Sequence, residues 1–482
     1  MVNIKIHRGT SQIGGTITEI YTENTHIFID FGSELTVNPE DSTDGKMIDM
    51  IKCAECDAVL FSHYHGDHIG LLENIPQKDI RGKEITLGIG KVARQVLVNI
   101  QKTLANDATS EPKERQVHKD MLNLLQDNSR WLDFMDALTE GNEQSSNFDI
   151  GDFHITTIRV DHSAYDSYMF VIEAEGKCIV HTGDFRVHGR LGEHFFDKFN
   201  NFMQHKKVDV LLIEGTMLGR LDEKVMTEKE LQKEATRLLQ QPENKYVYLI
   251  CSSTNMESLA SFHKAVLFSN KEKEKAGNKD CKRAMYVNHY VKQQMDLFAS
   301  AEPDITWGFR KANPFEQQGK YNEALGMSQM EYMEKNGFLT LIGKSEGYKK
   351  YIEPFKEKNP LLIYSMWDGY VEDKEADTYD EKWGAVYNSF ERKIKLHTSG
   401  HAVKKDLEEM IAIVSPSQAI IPIHTEFKES YEKLEGVGNK VKALVDGDVI
   451  TLAKTYVSGK DNEIMSKWDK YICELLEEIK KK

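Results

Sequence analysis

The sequence predicts an α/β protein in which one α/β domain is inserted within another. Residues 1–216 are rich in short β-type runs, residues 217–392 alternate β-type runs with helical ones, and residues 393–455 return to the first pattern. Such alternation is typical of a parallel sheet with helical crossovers. We therefore divide the chain into a first domain at 1–216 and 393–455, an insertion at 217–392, and a C-terminal helix at 456–482.

The first domain opens with four predicted strands, NIKIHRG, TITEIY, THIFIDFG and DAVLFSH. A second strand-rich block contains FHITTIRV, SYMFVIEAEG, KCIVHTGDF and VDVLLIEGT. Between these blocks, VARQVLVNIQKTL and QVHKDMLNLLQDNSRWLDFMDALTE repeat apolar residues at helical spacing. We therefore predict a helical insertion at about 91–148 that packs beside the functional site or forms a subunit contact.

The inserted domain alternates predicted helices, TEKELQKEATRLLQQ and NMESLASFHKAVL, with the predicted strands KYVYLICSS, FLTLIGKS and PLLIYSM. After it, KIKLHTSGHA, QAIIPIHTE and VKALVDGDVITL return to strands and turns. These last segments complete the first domain, because they repeat its pattern of short strands that end in polar turns.

Composition limits the class of protein. The chain has 482 residues, of which 40% are hydrophobic and 29% charged, as in an ordinary soluble globular protein. No run approaches the roughly 18 apolar residues of a membrane span, and the N-terminus lacks the apolar core of a signal peptide. Six cysteines in so long a chain do not form a disulfide framework. We therefore expect a cytoplasmic protein without membrane attachment, and leave open whether it forms a homo-oligomer.

The strongest functional signal is FSHYHGDHIG, in which His63, His65, Asp67 and His68 follow a predicted buried strand. A polar turn that happens to contain histidines does not easily explain this spacing. Zinc takes imidazole nitrogen and carboxylate oxygen, and a catalytic site leaves one position open for water. Four side chains cannot complete two such sites, so further ligands must come from elsewhere in the chain.

Three more candidates follow other predicted strands: His162 in VDHSAYDS, Asp184 in HTGDF and His424 in PIHTE. A single histidine or aspartate after a strand is usually a turn or cap residue. Together with HxHxDH, however, the three indicate a metal centre at one edge of a sheet.

These motifs resemble those of the metallo-β-lactamase superfamily. The resemblance implies an αββα sandwich with two metal ions at its edge. Zinc is the favoured metal, and manganese is the alternative. One ion would be held by His63, His65 and His162, the other by Asp67, His68 and His424, with Asp184 bridging. Asp30 of IFIDFG matches an early aspartate that orients ligands.

Further segments are similar to the β-CASP nucleases, and most of all to the ribonuclease J group. Glu214 ends the strand LLIEGT, and LHTSGHA contains His397, Ser399, Gly400 and His401. Hydrolysis of a phosphodiester requires a proton for the leaving oxygen, and His401 can supply it if Glu214 stabilises its imidazolium form. Ser399 and Gly400 could hold a phosphate oxygen, although a Ser-Gly turn is the simpler interpretation.

A second candidate phosphate site is LICSSTNMESLASF, where Ser252, Ser253, Thr254 and Asn255 lie between a predicted strand and a helix start. Free backbone N–H groups at such a position bind anions, and the resemblance implies contact with a phosphate of the nucleic-acid strand. A simple helix N-cap is an equal alternative.

The preferred function is hydrolysis of single-stranded RNA, with DNA also considered, by a 5′-to-3′ exonuclease that could also cut internally. Two metal ions would supply the attacking hydroxide, and the predicted catalytic residues are Asp67, Glu214 and His401. The net charge of −15 opposes a broad nucleic-acid surface but allows a metal-filled cleft. Two rivals are a metallo-hydrolase of a small molecule, such as a thioester or cyclic nucleotide, and a non-catalytic scaffold.

Overall fold

The computed structural model describes residues 1–35, 41–139, 146–220, 224–275, 277, 282–314, 321–322, 326–376 and 378–452. The predicted C-terminal helix at 456–482 lies outside these residues.

The strands are β1 (Val2–Arg8), β2 (Ile17–Tyr21), β3 (His26–Ile29), β4 (Ala58–Leu60), β5 (Thr86–Gly90), β6 (Trp131–Phe134), β7 (Asn147–Ile150), β8 (Phe153–Val160), β9 (Ser167–Ala174), β10 (Lys177–His181), β11 (Val210–Glu214), β12 (Tyr246–Cys251), β13 (Ala284–Val287), β14 (Asn313–Pro314), β15 (Tyr321–Asn322), β16 (Met327–Ser328), β17 (Phe338–Leu341), β18 (Leu361–Ser365), β19 (Arg392–Lys395), β20 (Ala419–Ile423) and β21 (Val449–Leu452). The helices are α1 (Asp44–Cys53), α2 (Gly66–Ile69), α3 (Lys91–Ala105), α4 (Pro112–Gln126), α5 (Phe195–Met203), α6 (Glu228–Gln240), α7 (Met256–Lys275), α8 (His289–Ala301), α9 (Pro303–Thr306), α10 (Gln329–Asn336), α11 (Lys349–Ile352), α12 (Glu381–Asn388) and α13 (Lys404–Val414).

Two sheets form the first domain. One has the order β21-β1-β2-β3-β4-β5-β6 and the other β20-β11-β10-β9-β8-β7. Their facing sides share one apolar core, to which Ile4 and Ile29 contribute from the first sheet and Phe170 and Leu212 from the second. Helices α1 and α3 pack on the outer face of the first sheet, and α5 and α13 on that of the second. The αββα sandwich is confirmed.

A third sheet is built from the middle of the chain, with the order β14-β13-β17-β12-β18-β19 and parallel pairing throughout. Helices α6, α7 and α8 cover one of its faces, where Leu231, Leu259 and Met295 pack against Val247 and Leu249. Strand β19 extends past residue 392, the predicted end of the insertion, and it is an edge strand of this sheet. The exact domain limits stay predictions.

The helical pattern predicted after α3 is wrong in its last third. Helix α4 ends at Gln126, and β6 then pairs in parallel with β5 at the edge of the first sheet. The chain leaves the helix because Asp127 accepts hydrogen bonds from the backbone N–H and the hydroxyl of Ser129 (3.1 and 2.6 Å), which closes a turn. Trp131 and Phe134 then point into the core, so burial against the sheet overrides their helical spacing.

A buried ionic network joins the sandwich to the helices of the third sheet. Arg186 is fully buried and donates to the carboxylates of Asp161 (3.1 Å) and Glu228 (3.3 Å) and to the carbonyl of Ser399 (3.0 Å). Glu228 is the first residue of α6, and it also accepts from the hydroxyl of Ser258 in α7 (2.8 Å). The guanidinium of Arg186 therefore joins two other segments of the sandwich, at Asp161 and Ser399, to the insertion at Glu228.

We predict that Arg186→Met lowers the free energy of unfolding by about 3–5 kcal/mol, because it leaves two carboxylates buried without their cation. Chemical denaturation measures this loss. Arg237→Met is the matched control, since Arg237 is 57% exposed and pairs with Glu234 on the surface, where such a pair contributes about 1 kcal/mol or less. Equal losses in the two variants would contradict the network's role.

Candidate metal centre

The predicted site residues lie at one edge of the sandwich. Strands β10, β11 and β20 run parallel, and β8 and β10 are both antiparallel to β9, so all four end at the same edge. His162, Asp184 and His424 follow three of these strands, and Glu214 ends the fourth. In the facing sheet β3 and β4 are parallel and end there too, directly before Asp30 and the HYHGDH segment.

Three histidines form the first cluster. The ligating nitrogens of His63, His65 and His162 lie within 4.8 Å of one another, and His65 Nδ1 is 3.2 Å from His162 Nε2. His162 Nδ1 donates to the carbonyl of Gly400 at 2.5 Å, which leaves Nε2 free to bind a metal. This cluster corresponds to the first of the two predicted ligand sets.

The second cluster contains His68, Asp184 and His424, again within 4.8 Å. His68 Nε2 lies 3.1 Å from Asp184 Oδ2, and His424 Nε2 lies 3.1 Å from Asp67 Oδ2. His68 Nδ1 donates to Asp30 Oδ2 at 2.7 Å, as expected for a residue that orients a ligand. All seven predicted ligands thus lie together, while their assignment to individual ions stays a prediction.

Two supporting contacts were missed from the sequence. The backbone N–H and hydroxyl of Ser62 donate to Asp30 at 2.7 and 2.9 Å, which fixes the carboxylate that holds His68. The Thr216 hydroxyl lies 2.8 Å from His424 Nδ1. Ser62 is inside the FSHYHGDH segment and could have been noticed there, whereas Thr216 carries no signal of its own in the sequence.

The charge states of two histidines and two aspartates of the clusters suit a divalent cation. Burial, reinforced by the neighbouring histidines, lowers the pKa of His63 and His162 well below the usual value, so both are neutral ligands. Burial raises the pKa of Asp67 and Asp184, but nearby histidines lower it by more and keep both ionised. In the described part of the chain, His63 Nε2 and Asp184 Oδ1 are buried without a hydrogen-bond partner. These orphaned atoms fit a metal.

The Glu214–His401 pair borders the second cluster. His401 Nδ1 lies 3.2 Å from Glu214 Oε2 and 3.7 Å from Asp184 Oδ2. Burial lowers the pKa of His401, but the charge and hydrogen bond of Glu214, with Asp184, outweigh it and raise the pKa to about 9. Glu214 is fully buried and also accepts from the backbone N–H groups of Phe185 (3.0 Å) and Ala402 (3.4 Å). The pair is therefore rigid.

The two predicted phosphate sites differ. Asn255 accepts from the Ser258 N–H at 3.1 Å and so caps α7, while the carbonyl of Thr254 accepts from the hydroxyl of Tyr64 at 2.8 Å. Tyr64 lies between two metal-ligand candidates, His63 and His65. Its hydrogen bond therefore places the loop from Ser252 through Ser253 to Asn255 beside the clusters. The sequence did not predict this bond.

The Ser399–His401 turn has a structural task. The carbonyl of Ser399 accepts from Arg186, and that of Gly400 accepts from His162. An added Cβ at Gly400 would lie 2.6 Å from Ser163 Oγ, so only glycine fits this close approach. The turn therefore positions the edge of the site, whether or not it also contacts a phosphate.

Comparison with known proteins agrees with this geometry. Residues 391–443, which contain the TSGH turn, β20 and His424, match the family model described as Zn-dependent metallo-hydrolase RNA specificity domain. This match, the αββα sandwich and the clustered histidines and aspartates support the resemblance to the metallo-β-lactamase superfamily. The matched segment is thus similar to a domain of metallo-hydrolases, which supports a hydrolase.

A solved structure supports the fold. The chain is similar to the crystal structure of a protein of unknown function from Enterococcus faecalis V583, with a TM-score of 0.63 and 20% sequence identity over 94% of this chain and 100% of that chain. No curated protein matches the chain. Among the described residues, no helix is long and apolar enough to cross a bilayer.

We predict that Asp30→Asn lowers zinc affinity by about 10- to 100-fold, because the amide cannot hold His68 as the carboxylate does. Competition against a zinc-binding dye measures the affinity. Asp149→Asn is the matched control, since Asp149 makes the same carboxylate–imidazole contact with His154 at 2.7 Å, but on the exposed surface. If both variants bound zinc as the wild type does, Asp30 would have no role in the centre.

Proposed function

We propose that the protein is a metal-dependent phosphodiesterase that hydrolyses single-stranded RNA, and DNA to a lesser extent, as a ribonuclease J-like β-CASP nuclease. The observation that carries this proposal is the Glu214–His401 pair beside the metal clusters. A thioester releases a thiolate, which can leave without an acid, whereas a phosphodiester releases an alkoxide oxygen that must be protonated. The RNA-specificity match supports the same substrate class.

Two divalent ions fit the two clusters, and zinc suits a set in which five of the seven ligands are imidazoles. When bound, they would supply a hydroxide nucleophile near neutral pH and stabilise the charge on phosphorus. The chain's own residues then hold the geometry. Asp184, which lies within reach of both clusters, would hold both ions, and Asp67 would be a further ligand beside His424.

His401 acts as the general acid in this proposal. Glu214 holds its Nδ1, so that Nε2 is the atom available to protonate the leaving oxygen. The buried carboxylate also favours the imidazolium form over the neutral one. Its partly exposed side chain, 22% accessible, can reach a substrate in the cleft.

A strand end would bind between the Ser252–Asn255 loop and the Ser399–His401 turn. The tie between Tyr64 and Thr254 supports this, since it sets the loop next to the metal clusters. Backbone N–H groups at the start of α7 favour an anion. A terminal phosphate held there would put the next phosphodiester at the metals, which favours 5′-to-3′ removal of mononucleotides.

We expect linear single-stranded RNA with a 5′-monophosphate to be degraded to mononucleotides, faster than RNA with a 5′-hydroxyl, and only before a chelator removes the metal. Gel analysis of end-labelled substrates measures this. Circular single-stranded RNA is the matched control, because it has no end to insert. Rapid cleavage of circles would exclude the terminal pocket, and failure on every RNA and DNA would exclude the proposed function.

We expect His401→Ala to lower turnover on RNA by about 10²- to 10⁴-fold, because the general acid is lost, with metal content unchanged. Single-turnover kinetics and elemental analysis measure the two quantities. His205→Ala is the control, since His205 is exposed and precedes β11, at the end of that strand opposite Glu214. Loss of metal from His401→Ala would instead make His401 a ligand, as its proximity to His162 and Asp184 allows.

A further inference from the structure

Trp367 is an exposed aromatic residue that rests on the backbone of the third sheet's loops. It follows β18, and its side chain is 40% accessible. A Cβ added at Gly369 would lie 2.4–2.6 Å from three atoms of the indole six-membered ring. The ring therefore lies directly against Gly369, and only a residue without a side chain fits beneath it. Because Gly369 lies against one face, a flat ligand would stack on the opposite face.

Contacts with two tyrosines hold Trp367 in position. The buried Tyr364 donates its hydroxyl to the carbonyl of Trp367 at 2.9 Å. The ring of Tyr370 meets the indole edge-to-face, with centroids 5.4 Å apart at 85°. A preorganised aromatic ring loses little conformational entropy on binding a flat ligand.

The ring stands at the same edge as the metal centre. Strands β12 and β18 are parallel neighbours, with Cys251 beside Ser365, so the segment with Trp367 leaves the sheet next to the Ser252–Asn255 loop. Tyr64 ties that loop to the metal-ligand segment.

The surrounding charges do not exclude a phosphate strand. Asp368 lies 3.0 Å from Lys395 Nζ, and Asp380 lies 2.5 Å from Lys344 Nζ. Lys395 also pairs with Glu372, so each of these three carboxylates has a lysine beside it, and the ring itself carries no charge.

We propose that Trp367, supported by Gly369 and Tyr370, is a stacking platform for one base of the bound strand, adjacent to the scissile phosphodiester. This inference rests on the proposed nuclease function, because it assigns a subsite within the same cleft. Stacking on an aromatic ring accepts any base, so the platform would hold a single strand without reading its sequence. A base-paired strand has no free face to offer, which makes the platform selective for unpaired nucleic acid.

The test measures binding of a short phosphorothioate RNA that resists cleavage, and of versions with a single abasic position moved along the strand. In the wild type, loss of the base at one position should weaken binding about 5- to 100-fold. Trp367→Ala should bind the intact strand more weakly by a similar factor and lose this positional dependence. Trp367→Phe should keep it, because a phenyl ring still stacks.

Trp307→Ala is the matched control. Trp307 is 47% exposed and packs near Phe268, which lies twelve residues, or about 18 Å of helix, beyond the first residue of α7. It should keep the wild-type pattern.

Three results would overturn the platform: a wild type with no sensitive abasic position, a Trp367→Ala variant that keeps the wild-type pattern, or equal weakening by the two tryptophan variants. The first needs no variant, so a misfolded Trp367→Ala leaves the inference testable. If the protein cleaves RNA and one of these three results is obtained, only the proposed stacking platform is contradicted. A wild type that neither binds nor cleaves RNA removes the proposed function as well.

Discussion

Parallel strands end at the same edge of a sheet, and the candidate centre depends on this constraint. β8, β10, β11 and β20 carry His162, Asp184, Glu214 and His424 to one edge, although these residues are spread over more than half of the chain. The facing sheet brings the HYHGDH segment to the same place, because the two sheets share an apolar core. No single segment could collect so many imidazoles and carboxylates, since a short loop has neither the reach nor the rigidity.

Two residues of the candidate centre have a strained backbone conformation. Asp30 and His424 have positive φ values of 62° and 50°, in a region that costs a residue with a side chain about 1–3 kcal/mol. Backbone hydrogen bonds hold both in place, from Asp30 to Leu60 at 2.9 Å and from His424 to Gly9 at 2.7 Å. The strain therefore lies at the site itself, while the packed sheets around it supply the stability that keeps these side chains in position.

The sandwich and the third sheet act as one body at the cleft. Arg186 binds the segment before His162, the segment before His401 and the start of α6 in a fully buried network. Tyr64 adds a bond between the metal-ligand segment and the loop before α7. These bonds fix the distances between the proposed acid, the metal clusters and the proposed strand-binding loop. Hydrolysis of a phosphodiester requires such a fixed geometry, because the reacting groups must be held close together in the right orientation.

Strand periodicity, the HxHxDH spacing and the polar residues after other predicted strands were enough to predict an α/β protein with seven candidate metal ligands, because these are local patterns whose chemistry can be interpreted without coordinates. The layering of the two sheets was implied by the resemblance of these motifs to a known superfamily. The predictions from sequence failed where contacts between distant segments determine the local structure. Trp131–Phe134 has helical spacing but becomes a strand, because an open sheet edge lies beside it. Tyr64, Thr216 and Arg186 carry no pattern, and only the tertiary structure showed that they hold the site. Their roles arise from hydrogen bonds between segments as far apart as 213 positions in the chain, and such bonds leave no periodic trace in a sequence.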